Sequence, residues 1–212
     1  LDPEALFASA VTFVLFCLAS SSVYLFNDIR DRDKDRLHPH KRDRPIAAGT
    51  VSVRTAAVVS VLLGFAALSG AAWLGPPELL ALFAFYLAKQ LAYTFGLKRI
   101  PILDALIVAA GFVLRAVAGS LAIGEPTSAW LLICTIFFAL FISLAKRRQE
   151  IATLTDGAEH RASLEGYDLA LMDQLVAIAT ASSLMSYALY TRDESTVEHF
   201  HTGLLPLTLP LL

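Results

Sequence analysis

The chain has 212 residues, of which 56% are hydrophobic, and its 19 acidic against 17 Lys and Arg residues give a net charge of -2. Mean hydropathy is +0.61, and the apolar residues come in runs of about 20 rather than as amphipathic stripes, which excludes an ordinary soluble domain and points to a polytopic helical membrane protein. Cys17 and Cys134 each lie inside an apolar run, which excludes a disulfide framework or a zinc site.

The expected fold is a single all-α transmembrane bundle over residues 1–212. Its spans run approximately over residues 5–26, 52–74, 77–95, 101–123, 127–145 and 169–191, with another beginning near Gly203. Gly75-Pro76-Pro77, Pro101 and Gly124-Glu125-Pro126 punctuate them as helix breaks. Leu1 stands where a Met would begin a chain and the last residues form a short apolar run, so both ends are expected to be truncated and no leader can be read.

The first span runs straight into a block of charge, Asn27 to Arg44. If the helix continues through Arg36, steps of ~100° per residue bring Asn27, Asp28, Asp31 and Asp35 onto one stripe, while Asp33 points away. Like charges on one face repel unless a cation offsets them. Hard oxygen ligands with Lys41, Arg42 and Arg44 just behind suit a magnesium-bound diphosphate, because Mg2+ takes carboxylates together with phosphate oxygens. The competing reading is a solvated helix end that serves as a topology signal. His38 and His40 flank Pro39 and are expected to serve local structure; His160, His199 and His201 have no visible context.

The third span holds Lys89 inside its apolar run, in a polar stripe with Tyr86, Gln90 and Tyr93 that leads to Lys98; a snorkelling lysine is the alternative. The fourth contains Asp104 and, 11 residues later and about three turns along one face, Arg115. A buried charge costs roughly 2.5–3.5 kcal/mol on insertion scales. Each of the two therefore needs another helix or a ligand, and a purely structural ion pair for Arg115 stays open. The fifth span ends in Lys146-Arg147-Arg148-Gln149-Glu150.

Except for Lys89, Arg115 and Arg192, all Lys and Arg residues flank the first, third and fifth connections. The positive-inside rule places these connections in the cytosol and Leu1 outside, unless a further helix precedes it. The expectation is that the three loops converge over a central opening, as a metal site ringed by cations above an apolar cavity for a long lipid. Magnesium and cations there would stabilise a departing diphosphate. No Gly-rich phosphate loop, Ser/His/Asp arrangement or Cys/His cluster is present in the sequence.

Asn27-Asp28-x-x-Asp31-x-x-x-Asp35, followed by His38-Pro39-x-Lys41-x-x-Arg44-Pro45, closely resembles the first aspartate-rich motif of the UbiA superfamily of intramembrane prenyltransferases. Tyr93-Thr94-Phe95-Gly96-Leu97-Lys98 is similar to that superfamily's tyrosine/lysine element. Ring-prenylating members carry a second aspartate-rich motif in a later loop, where this chain has the largely cationic Lys146-Arg147-Arg148-x-Glu150. With Leu97-Lys98-x-x-Pro101-x-Leu103-Asp104 and Leu114-Arg115-Ala116-x-Ala118-Gly119, this resembles the branch whose members move 5-phosphoribose from phosphoribosyl diphosphate (PRPP) to a polyprenyl (decaprenyl) phosphate and release diphosphate. That reaction supplies arabinose-containing cell-wall polymers.

The resemblance implies a bacterial inner-membrane enzyme with its site facing the cytoplasm and Mg2+ on Asn27, Asp28, Asp31 and Asp35. Asp31, Asp35 and Tyr93 would be catalytic, and Lys41, Arg44, Lys98, Lys146, Arg147 and Arg148 would bind substrate phosphates. Lys89, Asp104, Arg115 and Glu150 would line the cavity. The alternatives are prenyl transfer to an aromatic acceptor and, from a different class, an ion-coupled transporter or lipid-binding membrane protein.

Overall fold

The computed structural model describes residues 2–39, 41–153 and 168–200, together with Leu204, Pro206 and Thr208. The span expected near Gly203 and the side chains of His40, His160, Arg161, His199 and His201 lie outside the described residues. Among those described the chain is helical, without strands: α1 (Pro3–Leu37), α2 (Pro45–Ala48), α3 (Val53–Leu74), α4 (Pro77–Phe95), α5 (Leu103–Ile123), α6 (Ala129–Thr153), α7 (Leu169–Tyr190) and α8 (Glu194–Phe200), with a 3-10 turn at Leu97–Arg99. Helices α1, α3, α5, α6 and α7 are long and apolar enough to cross a membrane. Helix α4 forms over the expected residues, but Glu78, Lys89 and Gln90 dilute its apolar character and it is not one of the five.

Two helices outrun their expected spans. Helix α1 has 35 residues, about 52 Å at ~1.5 Å per residue, against a hydrocarbon core of ~30 Å. Its charged last turns are therefore a helical projection, which fixes Asn27 to Asp35 in helical register. Likewise α6 runs on to Thr153, so Lys146 to Glu150, expected in a connection, belong to helix. Asp2 caps α1 by accepting from the Glu4 N–H at 3.1 Å, with Pro3 at the first position. At the other end the His38 N–H closes the helix on the Asp35 carbonyl.

The chain divides into two compact units, Leu1–Phe95 with Ala118–Glu125, and Gly96–Val117 with Pro126–Leu212. The first is built on a close contact between α1 and α3. Ser22 Oγ donates to the Ser60 carbonyl at 2.7 Å and Ser60 Oγ donates to the Ser22 carbonyl at 2.8 Å, a reciprocal pair between helices. Such approach needs small residues, and Ala19, Ala56, Ser60, Gly64, Ala67 and Ala71 provide them along the buried faces. A Cβ at Gly64 would sit 3.1 Å from Ser22 Oγ, so the glycine makes room for that hydroxyl. Helix α4 adds Leu79, Phe83 and Tyr86, one stripe at helical spacing. Phe83 and Tyr86 meet the Phe16 ring at centroid distances of 4.4 and 5.3 Å, and the Tyr86 hydroxyl is 3.0 Å from Ser20 Oγ.

In the second unit, α6 and α7 pack through Leu140, Phe141 and Leu144 against Met172, Leu175, Val176 and Ala179, and Ala105 of α5 joins this core. Asp168 caps α7 by accepting from the Leu171 N–H. At the start of α6, Trp130 Nε1 donates to Asp193 at 3.1 Å.

Candidate active site

In the first unit, the segment after α1 turns back on it. Pro45 starts the single turn of α2, which ends at Gly49 with φ +82°, a left-handed conformation that glycine adopts without strain. Ile46 and Ala47 are buried, and Arg36 Nε donates to the Ala47 carbonyl at 2.9 Å. This return places Arg44 over the acidic face: its Nη1 donates to Asp28 Oδ1 at 2.9 Å and to Asp35 Oδ2 at 3.0 Å. Two carboxylates about two turns apart on one helical face thus converge on one nitrogen. Asp35 is buried and Asp28 half-buried. Asp33 points away as expected, exposed and paired with Arg32 at 3.0 Å and Arg36 at 3.8 Å. Asn27 and Asp31 are half-buried on the same helix, and Lys41 is half-buried in the turn that follows it.

Among the described residues no three Asp, Glu, His or Cys side chains form a metal cage. Magnesium does not require one, because it keeps several waters and is held by one or two carboxylates plus substrate phosphates. The Asp28–Asp35 face meets that requirement: it is made of hard oxygens and already gathers two of them around a single positive group, the Arg44 guanidinium.

The expected polar stripe on α4 exists. Lys89 Nζ donates to Gln90 Oε1 at 2.9 Å and lies 5.4 Å from the centre of the Tyr86 ring, both on its own helix. Tyr93 is half-buried in the last turns of α4. Beside it, Phe95 receives the Arg30 guanidinium at 4.5 Å and the Phe26 ring at 5.8 Å, which ties the projecting end of α1 to the end of α4.

In the second unit, the three cations of α6 separate. Successive residues differ by ~100° around a helix, so Lys146, Arg147 and Arg148 cannot share a face. Lys146 and Arg148 are exposed, whereas Arg147 turns inward and its Nε donates to Asp104 Oδ2 at 2.9 Å. Both partners of this pair are buried, Asp104 completely. Asp104 thus meets another helix, one of the two outcomes expected for it, and Arg147 stands apart from the exposed cations with which the sequence groups it. Arg115 is half-buried, with its guanidinium 5.1 Å from the centre of the Phe112 ring. Lys98 is half-buried in the 3-10 turn and Glu150 half-buried near the end of α6.

Two features of this unit went unread in the sequence. Arg148 Nε donates to Asp173 at 2.7 Å; Asp173 is the single carboxylate within α7, and that isolation was the available signal. Ile102, just before α5, has φ +65°, a conformation that costs a β-branched residue on the order of 1–3 kcal/mol. No sequence signal marks it, since glycine or asparagine is the usual occupant.

Residues 2–154 match the UbiA prenyltransferase family. The chain is 38% identical to a decaprenyl-phosphate phosphoribosyltransferase of Mycobacterium tuberculosis, over 99% of this chain and 70% of that protein. It is also 38% identical to the protein of that name from Mycolicibacterium smegmatis, over 96% of this chain and 67% of that one. Among solved structures, a UbiA homolog from Archaeoglobus fulgidus bound to DMAPP and Mg2+ superposes with a TM-score of 0.76 at 17% identity, covering 96% of this chain and 73% of that one. The apo UbiA homolog from Aeropyrum pernix K1 gives 0.68 at 19% identity, covering 100% and 77%. An acidic helical face, a cationic helix end and apolar helices of spanning length thus occur in a chain that belongs to the UbiA prenyltransferase family, as a membrane-embedded transferase.

Proposed function

We propose that the chain transfers 5-phosphoribose from PRPP to a polyprenyl phosphate, releasing diphosphate, at the cytoplasmic face of a bacterial inner membrane, as a step toward cell-wall arabinan. The observation that carries this reading is the 38% identity, over nearly the whole chain, to proteins named decaprenyl-phosphate phosphoribosyltransferase. The residues support it. Where a prenyl diphosphate and a neutral ring would need few cations, PRPP adds a 5-phosphate and the acceptor is itself a phosphate, and the end of α6 carries exposed Lys146 and Arg148.

Asp28 and Asp35, with Asn27 and Asp31 beside them, would hold Mg2+. The ion would neutralise charge on the departing diphosphate, and the archaeal relative bound to DMAPP and Mg2+ supports a metal of this kind. Lys41, Arg44, Lys98, Lys146 and Arg148 are the candidate ligands for the 5-phosphate and the lipid phosphate. An oxygen of the lipid phosphate attacks the anomeric carbon as the bond from that carbon to diphosphate breaks. The nucleophile is already an anion, so no general base is needed. Charge on the ribose in the transition state is oxocarbenium-like, and Tyr93 would help orient the sugar.

The test is thin-layer analysis of lipids after membranes containing the protein are incubated with labelled PRPP, polyprenyl phosphate and magnesium. Label in a phosphoribosylated lipid is expected. Its absence, with product formed instead from a prenyl diphosphate and an aromatic acid, would assign the chain to ring prenylation.

A further inference from the structure

The buried pair Asp104–Arg147 is a costly device. A buried ion pair contributes little net stability, because desolvation offsets its attraction, and apolar residues of similar volume often do as well. Here the arrangement is also incomplete: Asp104 Oδ1 and Ser143 Oγ are buried without a hydrogen-bond partner among the described residues. What such a pair supplies is fixed geometry, and what it joins is informative. Arg147 lies between the two exposed cations of α6. Asp104 ends a chain of interlocked turns that begins at Gly96 and encloses Lys98: the N–H groups of Arg99, Ile100, Leu103 and Asp104 bond to the carbonyls of Gly96, Leu97, Pro101 and Ile100 in turn. Strained Ile102 lies within that chain. From Lys98 to Asp104 the backbone can reach at most ~20 Å when fully extended, and these turns shorten it.

We propose that Asp104 and Arg147 are positioning residues that clamp the Lys98 turn to the end of α6, so that Lys98 is held in a fixed position relative to the exposed Lys146 for the phosphates of the donor. The clamp acts through these cations and touches no substrate. Its catalytic consequence rests on the phosphoribosyl-transfer reading above; its mechanical part does not. Strain at Ile102 and a half-satisfied carboxylate at Asp104 both favour release of this turn, and the single Arg147–Asp104 bond opposes it.

The experiment uses the full chain in lipid nanodiscs, with Cys17→Ser and Cys134→Ser, and spin labels on cysteines placed at Arg99 and Ala152. Each variant is measured for the label-to-label distance distribution and for the KM and kcat of PRPP. In Asp104→Asn and Arg147→Lys the distribution is expected to broaden, and the KM for PRPP to rise about tenfold with kcat within about threefold, the pattern of lost donor binding. Exchanging the partners, Asp104→Arg with Arg147→Asp, is expected to narrow the distribution again and to return KM to within about threefold of the parent. An unchanged distribution in both single variants overturns the clamp. Broadening without a KM change overturns its positioning role. If the single variants do not fold, a folded exchange variant that stays broad overturns it as well. If the parent does not turn over PRPP yet the distributions respond as described, the clamp stands and the proposed function falls.

Discussion

Arg44 crosses back over 16 residues of chain to set its Nη1 2.9 Å from Asp28 Oδ1, and the same nitrogen satisfies the buried Asp35 at 3.0 Å. A positively charged side chain of the protein therefore stands where a metal ion would be bound. On the proposed reading arginine and magnesium would compete for these oxygens, which would make Arg44 a measurable reporter of the site. In Arg44→Gln, Asp35 loses its charge partner while buried. With Arg44 itself 42% exposed, solvent screening limits the loss to about 1–2 kcal/mol. Without magnesium the variant is expected to unfold at lower temperature than the parent. Added magnesium should raise its midpoint by more than it raises that of the parent, because the ion no longer has to displace an arginine. Equal shifts in the two proteins would show that Arg44 and the metal do not share these carboxylates.

The carboxylates of α1 can be separated by the same logic. Asp28→Asn and Asp35→Asn remove oxygens that converge on one point, and Asp31→Ala removes a neighbour on the same stripe. Each is expected to lower magnesium-dependent transfer by about 100-fold or more, a loss of roughly 2.7 kcal/mol of transition-state stabilisation. Asp33→Asn removes a carboxylate that is exposed and, among the described residues, paired with Arg32 and Arg36. It should stay within about twofold of the parent, since exposed pairs contribute ~0–1 kcal/mol. Radiolabel transfer at several magnesium concentrations checks both, and activity in Asp31→Ala equal to the parent would remove the metal face from the scheme.

Much of this site was legible from the spacing of residues. Asn27, Asp28, Asp31 and Asp35 fall on one side of a helix, and the prediction depended on a single assumption, that α1 continues past its apolar part, which it does to Leu37. The spans were readable because an apolar run of spanning length has few alternatives to a helix. Arg147 was harder. In sequence it is one of three adjacent cations, and only the knowledge that those residues are helical shows that the three must face different ways. Its partner Asp104 was visible as an intramembrane charge in need of a partner, but choosing that partner requires the packing of α5 on α6, which no local pattern encodes. The left-handed backbone at Ile102 was hidden because it runs against the preference of the residue that adopts it.

The contact between α1 and α3 gives a prediction about stability alone. Gly64→Val places its first added carbon 3.1 Å from Ser22 Oγ, too close for the reciprocal Ser22–Ser60 bonds to survive unchanged. Overpacking of this kind costs typically 1–3 kcal/mol, and the two interhelical bonds add about 0.6 kcal/mol each where they are lost. Gly75→Ala is the control, because nothing lies within 4 Å of a Cβ there and its extended backbone suits any residue. Unfolding titrations in bicelles should place Gly64→Val well below the parent and Gly75→Ala beside it. Matching curves for the two variants would mean that the small-residue contact does not limit stability.

The exposed cations of α6 predict a dependence on salt. Lys146 and Arg148 are exposed, so their attraction for an anionic donor is screened over a Debye length of about 10 Å at 0.1 M and about 3 Å at 1 M ionic strength. The KM for PRPP is therefore expected to rise as salt increases, with kcat little changed. Lys146→Gln should raise KM about tenfold at low salt and flatten its dependence on ionic strength, because the charge being screened is gone. Asp173→Asn acts in the opposite sense. Asp173 draws Arg148 to itself at 2.7 Å with its own side chain 56% exposed, so its removal costs less than about 1 kcal/mol of stability and frees a guanidinium for substrate. The KM of that variant should be equal to or below that of the parent, and its salt dependence steeper. A salt profile that is flat in the parent, or unchanged in Lys146→Gln, would mean that the end of α6 does not bind the donor's phosphates.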